Sequence, residues 1–296
     1  MRWLLAVGAI IGMLSIASCG GGGNGLREGT LTPTADERPT ERPSATPGDG
    51  QAVNRLEDVR LATVRIVASG SFVDPDFGQQ NNVAGSGSGF IISSDGIAVT
   101  NNHVVTGAAF LDVYVAGNSR PVNARVLGVS ECSDLAVIDI EGDGYRYLDW
   151  YGGEIVAGLK VLAAGFPLGV EEYTLLDGIV ARVNVDGETT WSSVDRVIEH
   201  TADTLPGNSG GPIVTEDGTV VAVVYAGDSQ GRGFAIARDE ALKIIDDLRA
   251  GTNITSIGVN GAAIANADFS GVWVSSVQTG SPAHAAGIRA GDVITR

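Results

Sequence analysis

The sequence predicts an all-β protein built as two packed β-barrels, and three observations carry this. Gly is abundant, at 42 of 296 residues, while aromatics make up only 6%, a composition that suits short strands and turns better than long helices. Short β-rich runs alternate with turn signals along most of the chain. Those runs fall into two sets, 61–68, 89–93, 97–100, 111–115, 124–129 and 135–140, then 160–165, 174–185, 197–201, 211–215, 219–225 and 233–236, on either side of residues 145–158. Hydrophobic residues are 44% of the chain, enough for a sizeable core. The formal net charge is −16 with no basic patch, which argues against nucleic acid as a partner.

The elements follow in order. Residues 1–19 hold Arg2, an apolar run from Trp3 to Ile16, and small residues before Cys19, the pattern of a cleaved leader. The run is too short for a spanning helix. Ile16-Ala17-Ser18-Cys19 resembles a bacterial lipobox, which implies cleavage before Cys19, a diacylglycerol on its sulfur and anchoring to a membrane. Residues 20–54 open with four glycines and continue with Thr, Pro, Ser, Glu and Arg, the composition of a flexible tether. The barrels occupy 55–250. Asp239 is expected to cap a closing helix with Ala241, Leu242, Ile245 and Leu248 on one face and Gly251 at its end. Residues 256–296 resume with strands at 257–259 and 272–277 and a helix at 282–286, a partial further domain. Cys132, the one other cysteine, has no partner motif and reads as a bystander.

Three stretches carry chemistry: GSGSGFIISSDGIAVTNNHVV (85–105), SDLAVIDI (133–140) and LPGNSGGPIV (205–214). A serine hydroxyl is a weak nucleophile and needs an adjacent base, itself oriented by a third group. Ser209 lies among glycines that free the local backbone. The Gly207 and Ser209 amides, with Asn208 between them, can converge on one spot as an oxyanion hole. The base should be a histidine. His103 ends a short apolar strand and is favoured. His200 would have to fold back over a proline-containing loop, and His284 falls on a small polar helix. The orienting carboxylate is assigned to Asp134, at the mouth of the apolar run 135–140. Asp112 sits on an alternating strand and is expected to face solvent; the facing of Asp139 stays open. GNSGG also fits the nucleophile elbow of α/β-hydrolases, but that needs a helix after the serine and the histidine last in the chain. The 85–89 glycine run is a weak phosphate-loop lookalike with no helix behind it.

The order His103, Asp134, Ser209, with TNNHVV, SDLAVI and PGNSGGP, resembles the HtrA (Deg) family of trypsin-like serine proteases. GRGFAIA (231–237) is similar to a late strand of that family, and IGVNG with GSPAHAAGIRAGDVI to the start of its PDZ domain. The resemblance implies a chymotrypsin-like two-barrel protease followed by a partial PDZ domain, without metal or cofactor. It implies homotrimers or larger assemblies in the cell envelope and cleavage of unfolded or misfolded proteins, often after small aliphatic residues. It also implies a carboxylate-binding loop at Ile257, Gly258 and Val259 that takes peptide C-termini as an added strand. One departure stands out. The family carries a threonine–aspartate pair and an asparagine before PGNSGG, where this chain has His200-Thr201-Ala202-Asp203-Thr204-Leu205. The alternative function is a chaperone or peptide-binding sensor on an inactive protease scaffold.

Overall fold

The computed structural model describes residues 49–74, 78–189, 192–228, 230–265, 270–277 and 281–295. The expected leader, Cys19 and most of the tether lie outside the described residues. The first barrel comprises β1 (Thr63–Asp74), β2 (Gly78–Ile91), β3 (Ile97–Thr100), β4 (Ala108–Val115), β5 (Val122–Ser130) and β6 (Leu135–Ile140). It closes in the order β1-β2-β3-β6-β5-β4. The second comprises β7 (Lys160–Gly165), β8 (Thr174–Glu188), β9 (Ser193–His200), β10 (Pro212–Val214), β11 (Val220–Gly227) and β12 (Gly233–Ala237). Read from β7, its closed order is β7-β8-β9-β12-β11-β10, so it repeats the topology of the first. Closure leaves neither barrel a free sheet edge.

Strands with both faces buried should read as unbroken apolar runs rather than alternation, and β6 shows why. Ala136, Ile138 and Ile140 pack inside the first barrel. Leu135 and Val137 point outward into a cluster shared with Val214, Val220, Val223 and Ile236 of the second barrel. The outward face of one wall is thus the seam between barrels. Val161, Val180, Ile198, Ile213 and Val224 fill the second barrel.

The closing helix differs from expectation. It is two short pieces, α2 (Arg238–Ala241) and α3 (Ile245–Arg249). Ala237, not Asp239, is the N-cap, and Asp239 instead accepts from Arg238. Ala241, Ile245 and Leu248 are buried as expected, but Leu242 is exposed because the break rotates it away from the core. The folded unit also begins before residue 55. Val53 donates to the Tyr147 carbonyl and is buried in the core, and Arg146 ion-pairs Asp49. Val53, the Ala52–Tyr147 bridge and the Asp49–Arg146 ion pair together pin the end of the tether.

Beyond the barrels, β13 (Val259–Ala265), β14 (Ser270–Val277) and β15 (Val293–Ile294) form a separate antiparallel sheet, with α3 followed by α4 (Pro282–Ala285) in chain order. Strand β13 starts at Val259, later than expected. Exposed Ile257 precedes it and its carbonyl accepts from Ala283, so that residue serves the loop rather than a ladder. The segment leading to this sheet runs along β5: Ile254 donates to Val129 O, and Ser256 donates to Glu131 Oε2 at 2.9 Å.

Candidate active site

The turn that follows β6's partner strand sets the centre of the site. Asp134 ends the β5–β6 connection with a left-handed φ of 49°, a conformation that Asp tolerates better than most residues. It is almost fully buried, and every acceptor it has is used. Its carbonyl accepts from Asn101 Nδ2 at 2.8 Å and from the Asn102 amide at 3.1 Å. Its carboxylate accepts from the His103 amide through Oδ1 at 2.9 Å and meets His103 Nδ1 through Oδ2 at 2.6 Å. These contacts hold the single helical turn α1 (Asn102–Val105), whose second residue is His103. The His103 side chain keeps 21% of its surface exposed against 2% for Asp134. One imidazole nitrogen is therefore committed to a desolvated carboxylate while part of the ring stays open. The sequence singled out 85–105 as a stretch but gave Asn101 no role; its buried amide is what ties the two loops together.

Ser209 lies in the turn between β9 and β10. Gly207 (φ 99°) and Gly210 (φ 83°) both adopt conformations that disfavour side chains. Close approach demands the same residues. A Cβ on Gly210 would fall 2.2 Å from Ser88 O, 2.3 Å from Thr100 Oγ1 and 3.0 Å from Asn101 N. The residue after Ser209 thus sits directly against the entry to α1, which brings the serine turn beside the His103 segment. Around it, the Ser209 carbonyl accepts from Ser88 N at 2.8 Å, and Gly210 N donates to Val224 O at 2.8 Å.

The amides of this turn divide. Asn208 N donates to Leu205 O at 3.0 Å, so Asn208 cannot supply an oxyanion donor from its backbone and drops out of the expected trio. Among the described residues the Gly207 and Ser209 amides have no protein acceptor. The Pro206 carbonyl is taken by Leu168 N. In a trans peptide the N–H points opposite to the C=O, so this contact turns the Gly207 N–H the other way.

The competing residues sit elsewhere. Asp139 faces the same side as Leu135 and Val137 but at the strand end, where Arg125 Nε and Nη2 bond it at 2.9 and 2.6 Å. Asp112 lies on β4 opposite Asn123. His284 is exposed on α4, outside both barrels. Cys132 is exposed, and partial burial with the Glu131 carboxylate raises its thiol pKa, which works against a thiolate nucleophile. Gly258 N donates to Ser256 Oγ at 3.0 Å, and Val259 on β13 pairs with Val277 of β14; among the described residues the other edge of β13 carries no strand.

His200 is the surprise. It closes β9 fully buried, its ring packed against Gly233, and among the described residues neither ring nitrogen has a hydrogen-bond partner within normal geometry, although the Ala202 backbone favours the charged form. Burial pushes its pKa down to about 4. The native state therefore excludes a proton that the unfolded chain takes up below about 6.5. Stability should fall as pH drops from about 6.5 towards 4 and the loss should then level off. His200→Leu is expected to flatten that window in urea unfolding curves; equal losses in both proteins between pH 6.5 and 4.5 would remove His200 as the source.

Comparison with known proteins bears on the family and the fold. Residues 87–223 match the trypsin-like peptidase domain family. A probable periplasmic serine endoprotease DegP-like protein of Hahella chejuensis is 36% identical over 230 residues, covering 71% of this chain and 47% of that protein. The putative serine protease HhoA of Synechocystis is 33% identical over 279 residues, covering 83% of this chain and 70% of that protein. The chain spans about half the length of several curated relatives that it matches. Among solved structures, the HtrA-type protease AlgW with a decapeptide superposes with a TM-score of 0.60 at 25% identity, covering 81% of this chain and 83% of that one.

Proposed function

This chain belongs to the HtrA (Deg) family of trypsin-like serine proteases, and on that premise we propose that it is a serine endopeptidase acting through His103, Asp134 and Ser209. The observation that carries the reading is the double grip of Asp134 on His103, at both its amide and its Nδ1. With Nδ1 held, Nε2 is the nitrogen through which the ring acts. It takes the proton of Ser209 Oγ as the oxygen attacks the peptide carbonyl. The developing oxyanion is received by the Gly207 and Ser209 amides. The imidazolium then returns the proton to the leaving amine, giving an acyl-enzyme. Water repeats the sequence and releases the new carboxyl terminus.

The substrates we propose are unfolded or misfolded polypeptides, in keeping with the peptide ligand named for AlgW. The periplasmic relatives support an extracytoplasmic location; anchoring through Cys19 rests on the lipobox pattern alone. Residues 55–250, extended back to 49, form the protease domain, and 256–296 begin a PDZ domain. There Val259 and the open edge of β13 would take a peptide C-terminus, with Ile257 and Gly258 as the preceding loop. Assembly into trimers or larger is the family expectation.

The test is labelling by a fluorophosphonate, with the modified residue located by mass spectrometry. Labelling at Ser209 is expected, together with cleavage of an unfolded protein. Absence of labelling would favour the sensor reading instead.

A further inference from the structure

Ser88 lies on β2 of the first barrel and is fully buried. Its hydroxyl reaches across the seam between barrels. It donates to the Gly207 carbonyl at 2.7 Å and accepts from the Phe166 amide at 2.9 Å. Its own amide donates to the Ser209 carbonyl at 2.8 Å, and its own carbonyl accepts from Thr100 Oγ1 at 2.7 Å. One residue therefore holds, through their carbonyls, both residues whose amides lack an acceptor.

We propose that Ser88 is a positioning residue for the oxyanion hole, its hydroxyl fixing the orientation of Gly207. The inference rests on the reading of the Gly207 and Ser209 amides as oxyanion donors. Gly207 has no side chain to pack and no room for one: a Cβ there would fall 2.7 Å from Leu168 N and Phe166 O. A glycine at φ 99° is free to rotate unless its peptide groups are held. Two contacts hold them. Leu168 N fixes the peptide before Gly207 through Pro206 O, and Ser88 Oγ fixes the peptide after it. Through Phe166 N the same hydroxyl also ties down the segment that supplies the Leu168 contact. Removing it releases one side of the turn directly and loosens the other. Since Ser88 belongs to the first barrel and the turn to the second, the hole is set only when the barrels are docked. A preorganised donor contributes because it needs no reorientation as charge develops, so the loss belongs in kcat.

The experiment compares wild type, Ser88→Ala, Ser88→Cys and Ser209→Ala on a peptide substrate, with affinity for a peptidyl boronate whose tetrahedral adduct fills the hole. Loss of a whole oxyanion donor costs about 10²–10³, so mispositioning one should lower kcat about 10- to 100-fold in Ser88→Ala. KM should stay within about threefold, and boronate affinity should fall by a factor similar to that in kcat. Ser88→Cys, with a weaker donor, should fall in between. A folded Ser88→Ala with kcat within twofold of wild type, or a loss in KM alone, would overturn the proposal. If Ser88→Ala melts below the assay temperature, Ser88→Cys is judged by the same criteria. An inert wild type would overturn the site reading and this proposal together. An active wild type with an inert Ser209→Ala leaves the reading standing, so a normal Ser88→Ala then rejects Ser88 alone.

Discussion

Replacing Ser209 by alanine is expected to lower kcat for peptide cleavage by about 10⁶, leaving the residual rate that binding and the oxyanion donors sustain on their own. The size follows from the role. Without Oγ no acyl-enzyme forms, and the His103–Asp134 pair has no proton to take. The fold should be untouched. Ser209 is held by its carbonyl, which accepts from Ser88 N, and its neighbour by Gly210 N to Val224 O; alanine keeps both. The check is steady-state cleavage beside a thermal melt. A melt within a couple of degrees of wild type with no detectable turnover fits the nucleophile. Residual activity above about 1% would place the nucleophile elsewhere, since no partial contribution from a hydroxyl gives so small a loss.

The strands β3, β6, β10 and β11 were legible in the sequence because both of their faces are buried. Runs such as Leu135–Ile140 need apolar residues at every position but the last acidic one, and Asp139 is accommodated only by Arg125 at the strand end. The closing helix was less legible. Its apolar spacing suggested one face through Leu242, but a break between α2 and α3 exposes that residue. The candidate site was legible where its contacts are carried by local stretches: the motifs around His103, Asp134 and Ser209 each single out one candidate residue, and the His103–Asp134 contact joins two of them. The supports were not. Ser88 meets Gly207 across 119 residues and Phe166 across 78. Such pairs exist only because two barrels dock, and no local spacing encodes that. The Asn208 amide differs from its neighbours for a related reason: which N–H of a glycine-rich turn is left without an acceptor depends on the carbonyls around it, and that of Asn208 meets Leu205 O.

Asp134→Asn should lower kcat by about 10⁴ with KM nearly unchanged. The carbonyl of residue 134 still accepts from Asn101 Nδ2 and Asn102 N, so α1 keeps its anchor. What changes is the side chain. The carboxylate accepts at both oxygens, from the His103 amide and from Nδ1. A carboxamide accepts at one and donates at the other. If its oxygen serves the His103 amide, its NH₂ faces Nδ1, which must then be the unprotonated nitrogen. The proton moves to Nε2, and the nitrogen that should receive the Ser209 proton is already occupied. If the amide flips, two donors confront each other at the His103 N–H. Either arrangement also removes the negative charge that balances the imidazolium. Stability should drop only by about 1–3 kcal/mol, the scale for charge-assisted hydrogen bonds. A fully active Asp134→Asn would remove Asp134 from the mechanism. Asp139 is engaged by Arg125 through Nε and Nη2, which would leave Asp112 as the carboxylate to test next.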